Sequence, residues 1–176
     1  TEQVGRSFMI HEKILLKDIF ENINTEATLT SYAHENSPRA TVLICPGGGY
    51  NHVSEREGEP IAMQFYAKGY NAFVLRYSTR DLNDDMYPTQ LLEASAALAY
   101  IRRNSEYYNT KKDVIAVCGF SAGGHLAVTL ATLWQENFVC DALGIEKGEN
   151  MPNGLILAYP VITSGEFAHR GSFENL

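Results

Sequence analysis

The chain has 176 residues, of which 45% are hydrophobic and 20% are charged, and this composition is typical of one soluble globular domain. Its formal net charge of −7 argues against a nucleic-acid or anionic-membrane partner unless basic side chains cluster locally. The basic residues of the central region are Arg102, Arg103, Lys111 and Lys112. They are too few to form such a surface, and we interpret them as a solvated face.

Cysteine usage and hydropathy indicate the compartment. Cys45, Cys118 and Cys140 form neither a close pair nor a metal-binding spacing, which favours buried free thiols over disulfides. The sequence has no apolar stretch near the roughly 20 residues that span a bilayer, and no signal-peptide pattern follows Thr1. We therefore predict a cytoplasmic protein, although a leader removed earlier would escape this test.

The first half of the chain predicts strands at a sheet edge. Partial alternation of apolar and polar residues over 8–16 and 27–33, separated by the turn-prone segment 21–24, predicts an antiparallel hairpin. Residues 37–39, Ser-Pro-Arg, then break the chain before a nearly continuous apolar strand over 40–45.

Further along, helices alternate with strands. The patterns predict helices over 57–69, 89–103 and from the serine turn to Trp134, strands over 70–77, 113–118 and 154–162, and polar loops over 81–86 and 141–153. Strands that alternate with helices of this length imply βαβ units, and hence a mostly parallel sheet with helices on both faces.

Residues 113–126, DVIAVCGFSAGGHL, carry the best-defined motif. A buried β-branched strand leads into G-x-S-x-G, and good helix formers follow, which is the context of a nucleophile elbow. Gly119 and Gly123 flank the turn, where a β-carbon would collide with the neighbouring strand or helix. The five-residue pattern also occurs in ordinary loops, but in this context it predicts Ser121 as a nucleophile.

A second motif, Pro46-Gly47-Gly48-Gly49-Tyr50, follows the strand over 40–45. Successive glycines leave backbone N–H groups free to face an anion or a polarised carbonyl oxygen. A phosphate loop and a flexible turn are the alternatives, but the Lys and Ser/Thr of a P-loop are missing. We favour an oxyanion loop. Since both motifs follow carboxyl ends of predicted parallel strands, they face one crevice, where Ala122 N–H would be a further donor.

Together, VLICPGGGY, REGEP, YPTQLLEASAALAYIRRN and VIAVCGFSAGGHLA resemble the α/β-hydrolase fold over most of residues 40–162. More narrowly, the chain is similar to carboxylesterases that include acetyl esterases and acetylxylan-esterase-like hydrolases of acylated sugars. Related enzymes usually carry His-Gly-Gly-Gly, and Pro46 takes the histidine position here. By this match the oxyanion glycines are Gly48 and Gly49, with Gly47 or Tyr50 as neighbouring alternatives.

The resemblance implies a serine hydrolase that needs no metal or organic cofactor. Ser121 would attack the carbonyl of a small-molecule ester with a short, acetyl-like acyl group. Backbone N–H groups of Gly48, Gly49 and Ala122 would hold the oxyanion, and water would release the acyl group. An amidase, formamidase or peptidase of the same fold is the alternative within this class.

Residues beside the glycine loop are candidate substrate contacts. Tyr50 would wall the acyl pocket, with simple packing as the alternative, and His52 would line the crevice, with a solvated loop histidine as the alternative. Ser54, Arg56, Glu57 and Glu59 are candidate contacts to a polar substrate at the crevice rim, but Glu57 and Glu59, near a predicted helix start, are sufficiently explained by the helix dipole.

The catalytic acid and histidine of this fold follow the serine in the chain, after two further strands. We therefore expect them beyond Leu176. His125 is expected to pack against the elbow helix and the sheet, and the pair Glu166 and His169 has the right order but the wrong spacing.

The domain assignment is one α/β-hydrolase domain over residues 1–176, corresponding to the amino-terminal two-thirds of that fold. The alternative is a non-catalytic hydrolase-like binding protein that ends at Leu176, with an exposed edge strand over 154–162. Such an edge invites aggregation or pairing, so we favour the esterase. The sequence leaves a homo-oligomer open.

Overall fold

A computed structural model describes residues 9–82, 84 and 86–176. Residue 8 of the first predicted strand and residues 83 and 85 of the predicted polar loop lie outside the described residues. The strands are β1 (Met9–Ile10), β2 (Lys13–Leu15), β3 (Thr28–His34), β4 (Arg39–Cys45), β5 (Asn71–Arg76), β6 (Thr110–Phe120) and β7 (Gly154–Ala158). The helices are α1 (Glu59–Ala67), α2 (Thr89–Arg103), α3 (Ala122–Leu133), α4 (Asn137–Leu143) and α5 (Arg170–Glu174), with 3₁₀ helices at Leu16–Asp18 and Glu55–Glu57.

The sheet has the strand order β1-β3-β5-β4-β6-β7, with β2 also paired to β3. β3 is antiparallel to β1, β2 and β5, whereas β5, β4, β6 and β7 are parallel to one another. In the central register Leu43 lies opposite Phe73 on β5 and Val117 on β6. The prediction of a mostly parallel sheet with antiparallel strands at one edge is confirmed.

Helices cover both faces of this sheet. Val42 and Ile44 of β4 pack in a cluster with Ala62 of α1, while Leu43 and Cys45 point to the opposite face, in the larger cluster that contains α2 and α3. This alternation explains why β4 is apolar at every position from 42 to 45. Across the described residues, no helix is both long enough and apolar enough to cross a membrane.

The first predicted strand is divided in two by Ser31 of β3. The Ser31 hydroxyl donates to the Ile10 carbonyl (3.1 Å) and accepts from the Glu12 N–H (2.9 Å). The Ser31 N–H also donates to the Glu12 carbonyl (2.9 Å), so Ser31 bonds to residues 10 and 12 while β1 and β2 pair with β3 on either side of it.

Two other predicted elements have different bounds. The helix predicted over 57–69 begins only at Glu59 in the structure, because a separate 3₁₀ helix precedes it. The predicted polar loop over 141–153 is wrong at its start, since α4 extends to Leu143 and buries Val139 and Leu143 against the core.

The last predicted strand ends at Ala158 instead of Ile162. Tyr159 has a positive φ of 38°, Pro160 has no N–H, and the Val161 N–H donates to the Ser121 carbonyl (3.1 Å). The chain therefore leaves the sheet ladder at Tyr159 and turns toward Ser121.

Of the four basic residues that the sequence interprets as a solvated face, Arg103, Lys111 and Lys112 are exposed, whereas Arg102 is half-buried. Arg103 forms a two-bond pair with Glu149 (2.6 and 2.8 Å), and this pairing lowers the pKa of the Glu149 carboxyl. The half-buried Arg102 guanidinium donates to Asn153 Oδ1 and to the carbonyls of Lys112, Gly148, Glu149 and Met151. The two arginines thus bind residues 148–153, the segment that leads into β7, and hold it against the end of α2.

We expect Arg102→Lys to destabilise the protein, because an ammonium group cannot reproduce the planar fork of donors. Loss of two charge-assisted bonds corresponds to about 3 kcal/mol in the free energy of unfolding, measured by urea denaturation. Lys111→Ala, at an exposed position, is the matched control. An unchanged urea midpoint for Arg102→Lys would contradict this role.

Candidate active site

Ser121 lies at the tip of a sharp turn between β6 and α3. Its backbone has φ 52° and ψ −117°, a conformation that costs about 1–3 kcal/mol for a residue with a side chain. Its N–H donates to the Ala158 carbonyl (3.0 Å), and its carbonyl accepts from the N–H groups of His125 and Val161 (both 3.1 Å). The surrounding backbone therefore holds this strained residue in place, in the geometry of a nucleophile elbow.

The glycines around Ser121 permit a close approach of backbone segments. A β-carbon at Gly119 would overlap the carbonyl of Gly123, and one at Gly123 would overlap the carbonyl oxygens of Cys45 and Pro46. The first turn of α3 consequently packs directly against the end of β4. This contact places the serine turn beside the glycine loop, as the sequence predicts.

Every carbonyl of the glycine loop has a donor. The donors are Tyr77 OH for Pro46 (2.5 Å), Ser54 N–H for Gly47 (2.9 Å), Asn51 and His52 N–H for Gly48 (3.1 and 3.3 Å), Asn175 Nδ2 for Gly49 (3.0 Å) and Arg80 N–H for Tyr50 (2.8 Å). The loop also uses positive φ values at Gly48 (126°), Gly49 (63°) and Tyr50 (58°). Its conformation is therefore fixed through its carbonyl groups.

The N–H groups of the loop behave differently. Within the described part of the chain, the N–H groups of Gly48, Gly49 and Ala122 donate to no protein acceptor. These are the three donors that the sequence predicts for an oxyanion. Gly47 is excluded as the alternative donor, because its N–H binds Glu57 Oε2 (2.7 Å). The Tyr50 N–H, the other alternative, also has no acceptor among the described residues.

A cavity of about 460 Å³, lined by polar residues and glycines, opens at this point, and its volume suits a small ligand. Its lining consists of Gly48, Gly49, Asn51, His52, Ser54, Arg56, Glu57, Ser121, Tyr159, His169, Gly171 and Asn175. The structure thus brings the predicted nucleophile and both predicted oxyanion glycines to one cavity. Ala122 is buried directly behind Ser121.

The two predicted substrate contacts lie in different surroundings. His52 is exposed and lines the cavity, as do the predicted rim residues Ser54 and Arg56. Tyr50 is only 2% exposed and is not part of the lining; its hydroxyl lies 2.8 Å from His125 Nδ1. Tyr50 therefore packs beneath the glycine loop, which is the alternative that the sequence left open.

No described side chain hydrogen-bonds to the Ser121 hydroxyl. His125 binds Tyr50 instead, and burial lowers the pKa of its imidazole, which keeps the ring neutral. His169 reaches the cavity, but its Nδ1 is bonded to Ser172 Oγ (2.9 Å) and no bond joins it to Glu166. The His125 ring packs against Tyr50 and against Phe173 of α5, with ring centroids 5.8 and 5.9 Å apart, whereas the sequence predicts packing against the elbow helix and the sheet.

The sequence interpretation missed two sets of contacts with the glycine loop. The segment 169–175, in which the sequence singled out only His169, contains α5 and folds over the glycine loop, where Asn175 binds Gly49. Glu57 lines the cavity, in agreement with its candidacy as a rim residue, but its hydrogen bonds to Gly47 and Tyr159 were not predicted. The available signal for Glu57 was its position in REGEP, a few residues after the glycine loop.

No three described His, Cys, Asp or Glu side chains come together in a geometry that could hold a metal ion. Among the residues of the cavity, the groups that face a ligand are backbone N–H groups and the hydroxyl, amide, imidazole, guanidinium and carboxylate side chains named above. This arrangement can bind a polar molecule and stabilise a developing negative charge near Ser121.

Comparisons with known proteins agree with this architecture. A family model described as BD-FAE matches residues 29–153. Endo-1,4-beta-xylanase B of Butyrivibrio fibrisolvens is 36% identical over 150 residues, which cover 84% of this chain and 24% of that protein. Acetylxylan esterase of Xylanibacter ruminicola is 28% identical over 152 residues, covering 85% of this chain and 28% of that protein.

Solved structures show the same fold. An acetyl ester-xyloside bifunctional hydrolase from Caldicellulosiruptor lactoaceticus is 30% identical with a TM-score of 0.78, and the match covers 100% of this chain and 65% of that one. An α/β-hydrolase enzyme from a Medee basin deep-sea metagenome library is 39% identical with a TM-score of 0.72, covering 91% and 60%.

The chain spans about a quarter of the length of these curated relatives and less than two-thirds of the solved ones. The family model nevertheless matches most of the described sheet, from β3 to the residue before β7. The chain therefore belongs to the BD-FAE family and has the α/β-hydrolase fold.

Proposed function

We propose that this protein is a serine carboxylesterase that removes short, acetyl-like acyl groups from sugar esters through an acyl-enzyme on Ser121. One observation carries the proposal. Ser121, held at the tip of its turn, shares a cavity with Gly48 and Gly49, whose N–H groups have no acceptor among the described residues. Relatives named as an acetylxylan esterase and an acetyl ester-xyloside hydrolase support the acyl-sugar class.

The chemistry follows the order of events in acyl transfer. The Ser121 oxygen attacks the ester carbonyl while its proton passes to a general base, and the carbonyl oxygen becomes an oxyanion. The N–H groups of Gly48, Gly49 and Ala122 bind that oxyanion. The alcohol then leaves with the proton, and a water molecule repeats the sequence to release the acid and regenerate the serine. Each oxyanion donor is worth about 3 kcal/mol in enzymes of this type.

The general base is the missing partner in this scheme. No described side chain binds the Ser121 hydroxyl, and the chain spans 60% and 65% of the two solved structures described above. We propose that residues outside these 176 supply the base and its acid. The activity test therefore uses the natural full-length protein, and its intact mass identifies the chain that is assayed.

The polar side chains of the lining support a substrate whose leaving alcohol carries several hydroxyl groups, as a sugar does. Asn51, His52, Arg56, Tyr159 and Asn175 all line the cavity. Such side chains can hydrogen-bond to the hydroxyl groups of a sugar, for which an aryl or alkyl alcohol offers no counterpart.

We expect Ser121→Ala to abolish hydrolysis of an aryl acetate and of an acetylated xylo-oligosaccharide, because in this mechanism the acyl-enzyme forms on the Ser121 oxygen. The loss of kcat should be at least about 10³-fold. The matched control is Ser105→Ala, in the turn after α2 and outside the cavity.

Three outcomes would contradict the proposal. Equal hydrolysis by Ser121→Ala and the natural protein would exclude the serine as nucleophile. Faster cleavage of an aryl amide or a formamide than of either ester would favour an amidase. Binding of the xylo-oligosaccharide with no hydrolysis by the full-length protein would favour a non-catalytic binding protein.

The two oxyanion glycines should respond differently to alanine. A β-carbon at Gly48 would overlap the His52 carbonyl, and its φ of 126° disfavours any side chain, so Gly48→Ala must reorganise the loop. A β-carbon at Gly49 meets only Ser172 Oγ at 3.6 Å and His169 Cε1 at 3.9 Å, and its φ of 63° is tolerated at about 1 kcal/mol.

We therefore expect Gly48→Ala to lower kcat by about 10²-fold or more and Gly49→Ala to lower it by less than about tenfold, measured on the aryl acetate. Circular dichroism checks that both variants fold. A folded Gly48→Ala variant with the natural kcat would show that this loop does not hold the oxyanion.

A further inference from the structure

We infer that Glu57 is a positioning residue for the glycine loop: it holds Gly47 so that the next two N–H groups face the oxyanion, and Tyr159 holds Glu57. This inference rests on the proposed esterase function for its effect on turnover. The contacts that support it are independent of that function.

Glu57 contacts the loop and the end of β7 with its two carboxylate oxygens. Oε2 accepts the Gly47 N–H at 2.7 Å, and Oε1 accepts the Tyr159 hydroxyl at 2.9 Å. A β-carbon placed at Gly47 would stand 2.8 Å from Glu57 Oε2 and 3.0 Å from the Ser121 β-carbon. The carboxylate and the nucleophile therefore flank the same glycine.

Hydrogen bonds hold both polar groups of the peptide unit that joins Pro46 to Gly47. The Pro46 carbonyl and the Gly47 N–H belong to the same planar unit, and they bind Tyr77 OH (2.5 Å) and Glu57 respectively. Because both polar groups of the unit are held, it cannot rotate without breaking two hydrogen bonds. Glu57 thus fixes the direction in which the loop begins.

The orientation is passed on to the next two peptide units. The Gly47 carbonyl accepts the Ser54 N–H (2.9 Å), and the Gly48 carbonyl accepts the Asn51 N–H (3.1 Å). In a trans peptide the N–H points away from the carbonyl, so the N–H groups of Gly48 and Gly49 point away from these donors. Both glycines line the cavity. Freeing Gly47 would allow its own N–H to compete for that space.

Glu57 is itself anchored on both sides. Its 3₁₀ helix is joined to the end of β5 by an ion pair between Glu55 and Arg76, outside the cavity. The hydrogen bond to Glu57 raises the pKa of the Tyr159 phenol, so Tyr159 remains a donor. The Tyr159 ring packs on Phe120, the residue before the nucleophile, at 5.9 Å between centroids.

These contacts predict which substitutions the position tolerates. A glutamine can accept the Gly47 N–H through its amide oxygen, and the Tyr159 hydroxyl can turn to accept from the amide nitrogen. Alanine provides neither contact. Because the oxyanion exists only in the transition state, loss of loop geometry should lower kcat and leave KM nearly unchanged.

The test compares Glu57→Ala, Glu57→Gln and Tyr159→Phe with Glu59→Ala in the full-length protein. Glu59 is an exposed carboxylate two residues away, at the start of α1 and outside the cavity, so it matches the change in charge. On the aryl acetate we expect kcat to fall about 10²-fold in Glu57→Ala, to stay within about fivefold in Glu57→Gln, and to fall about tenfold in Tyr159→Phe. Glu59→Ala should match the natural protein.

A second measurement does not depend on activity. In protein labelled with ¹⁵N-glycine, the short bond to a carboxylate should move the Gly47 amide proton downfield. This shift should disappear in Glu57→Ala, persist in Glu57→Gln and remain unchanged in Glu59→Ala. If the natural protein and Ser121→Ala hydrolyse the ester equally, the proposed function fails while the amide shift still tests the Glu57 contact.

Either of two results would overturn the inference. One is an active enzyme in which Glu57→Ala or Tyr159→Phe keeps the natural kcat. The other is a Gly47 amide signal that does not respond to Glu57→Ala. If Glu57→Ala fails to fold, Tyr159→Phe decides the question, because it removes one hydroxyl from a residue that is 65% exposed.

Discussion

The site depends on the contact between the first turn of α3 and the end of β4. Gly123 lies so close to the carbonyl oxygens of Cys45 and Pro46 that no β-carbon fits between them. Backbone hydrogen bonds to Ala158, at the end of β7, and from Val161, just after it, hold Ser121 against the same turn. Close packing here offsets the strain of a positive φ at Ser121 and fixes the distance between the serine turn and the glycine loop.

In the part of the chain that the structure describes, the glycine loop is paired through its carbonyl groups and not through the N–H groups of Gly48 and Gly49. All five carbonyl groups from Pro46 to Tyr50 are paired with protein donors, and Glu57 takes the first N–H. Folding generally requires buried polar groups to be paired. In this loop, protein partners pair all the carbonyl groups but, among the described residues, leave the N–H groups of Gly48 and Gly49 unpaired. The uncommitted donors of Gly48 and Gly49 are therefore oriented before any ligand arrives, which is the condition under which dipoles stabilise a developing charge most effectively.

Segments distant in sequence support this arrangement from outside. Arg102 binds the loop that leads into β7, and the end of β7 provides the Ala158 carbonyl that accepts the Ser121 N–H. Asn175, after α5, binds the Gly49 carbonyl from the other side of the cavity. A loss of stability at Arg102 is thus expected to reach the nucleophile through the sheet, since rigid packed elements transmit small displacements.

The sequence by itself determined the alternation of strands and helices, the mostly parallel sheet, and the positions of the serine turn and the glycine loop. These features depend on local periodicity, on glycines and on the rule that carboxyl ends of parallel strands share one edge. Only the tertiary structure decided that Gly47 is bound by Glu57, that Arg102 is half-buried among carbonyl groups, and that residues 169–175 cover the loop. Each of these depends on a side chain that meets a backbone group far away in the chain. Such pairings follow from how the elements pack, and they leave no periodic pattern in the sequence.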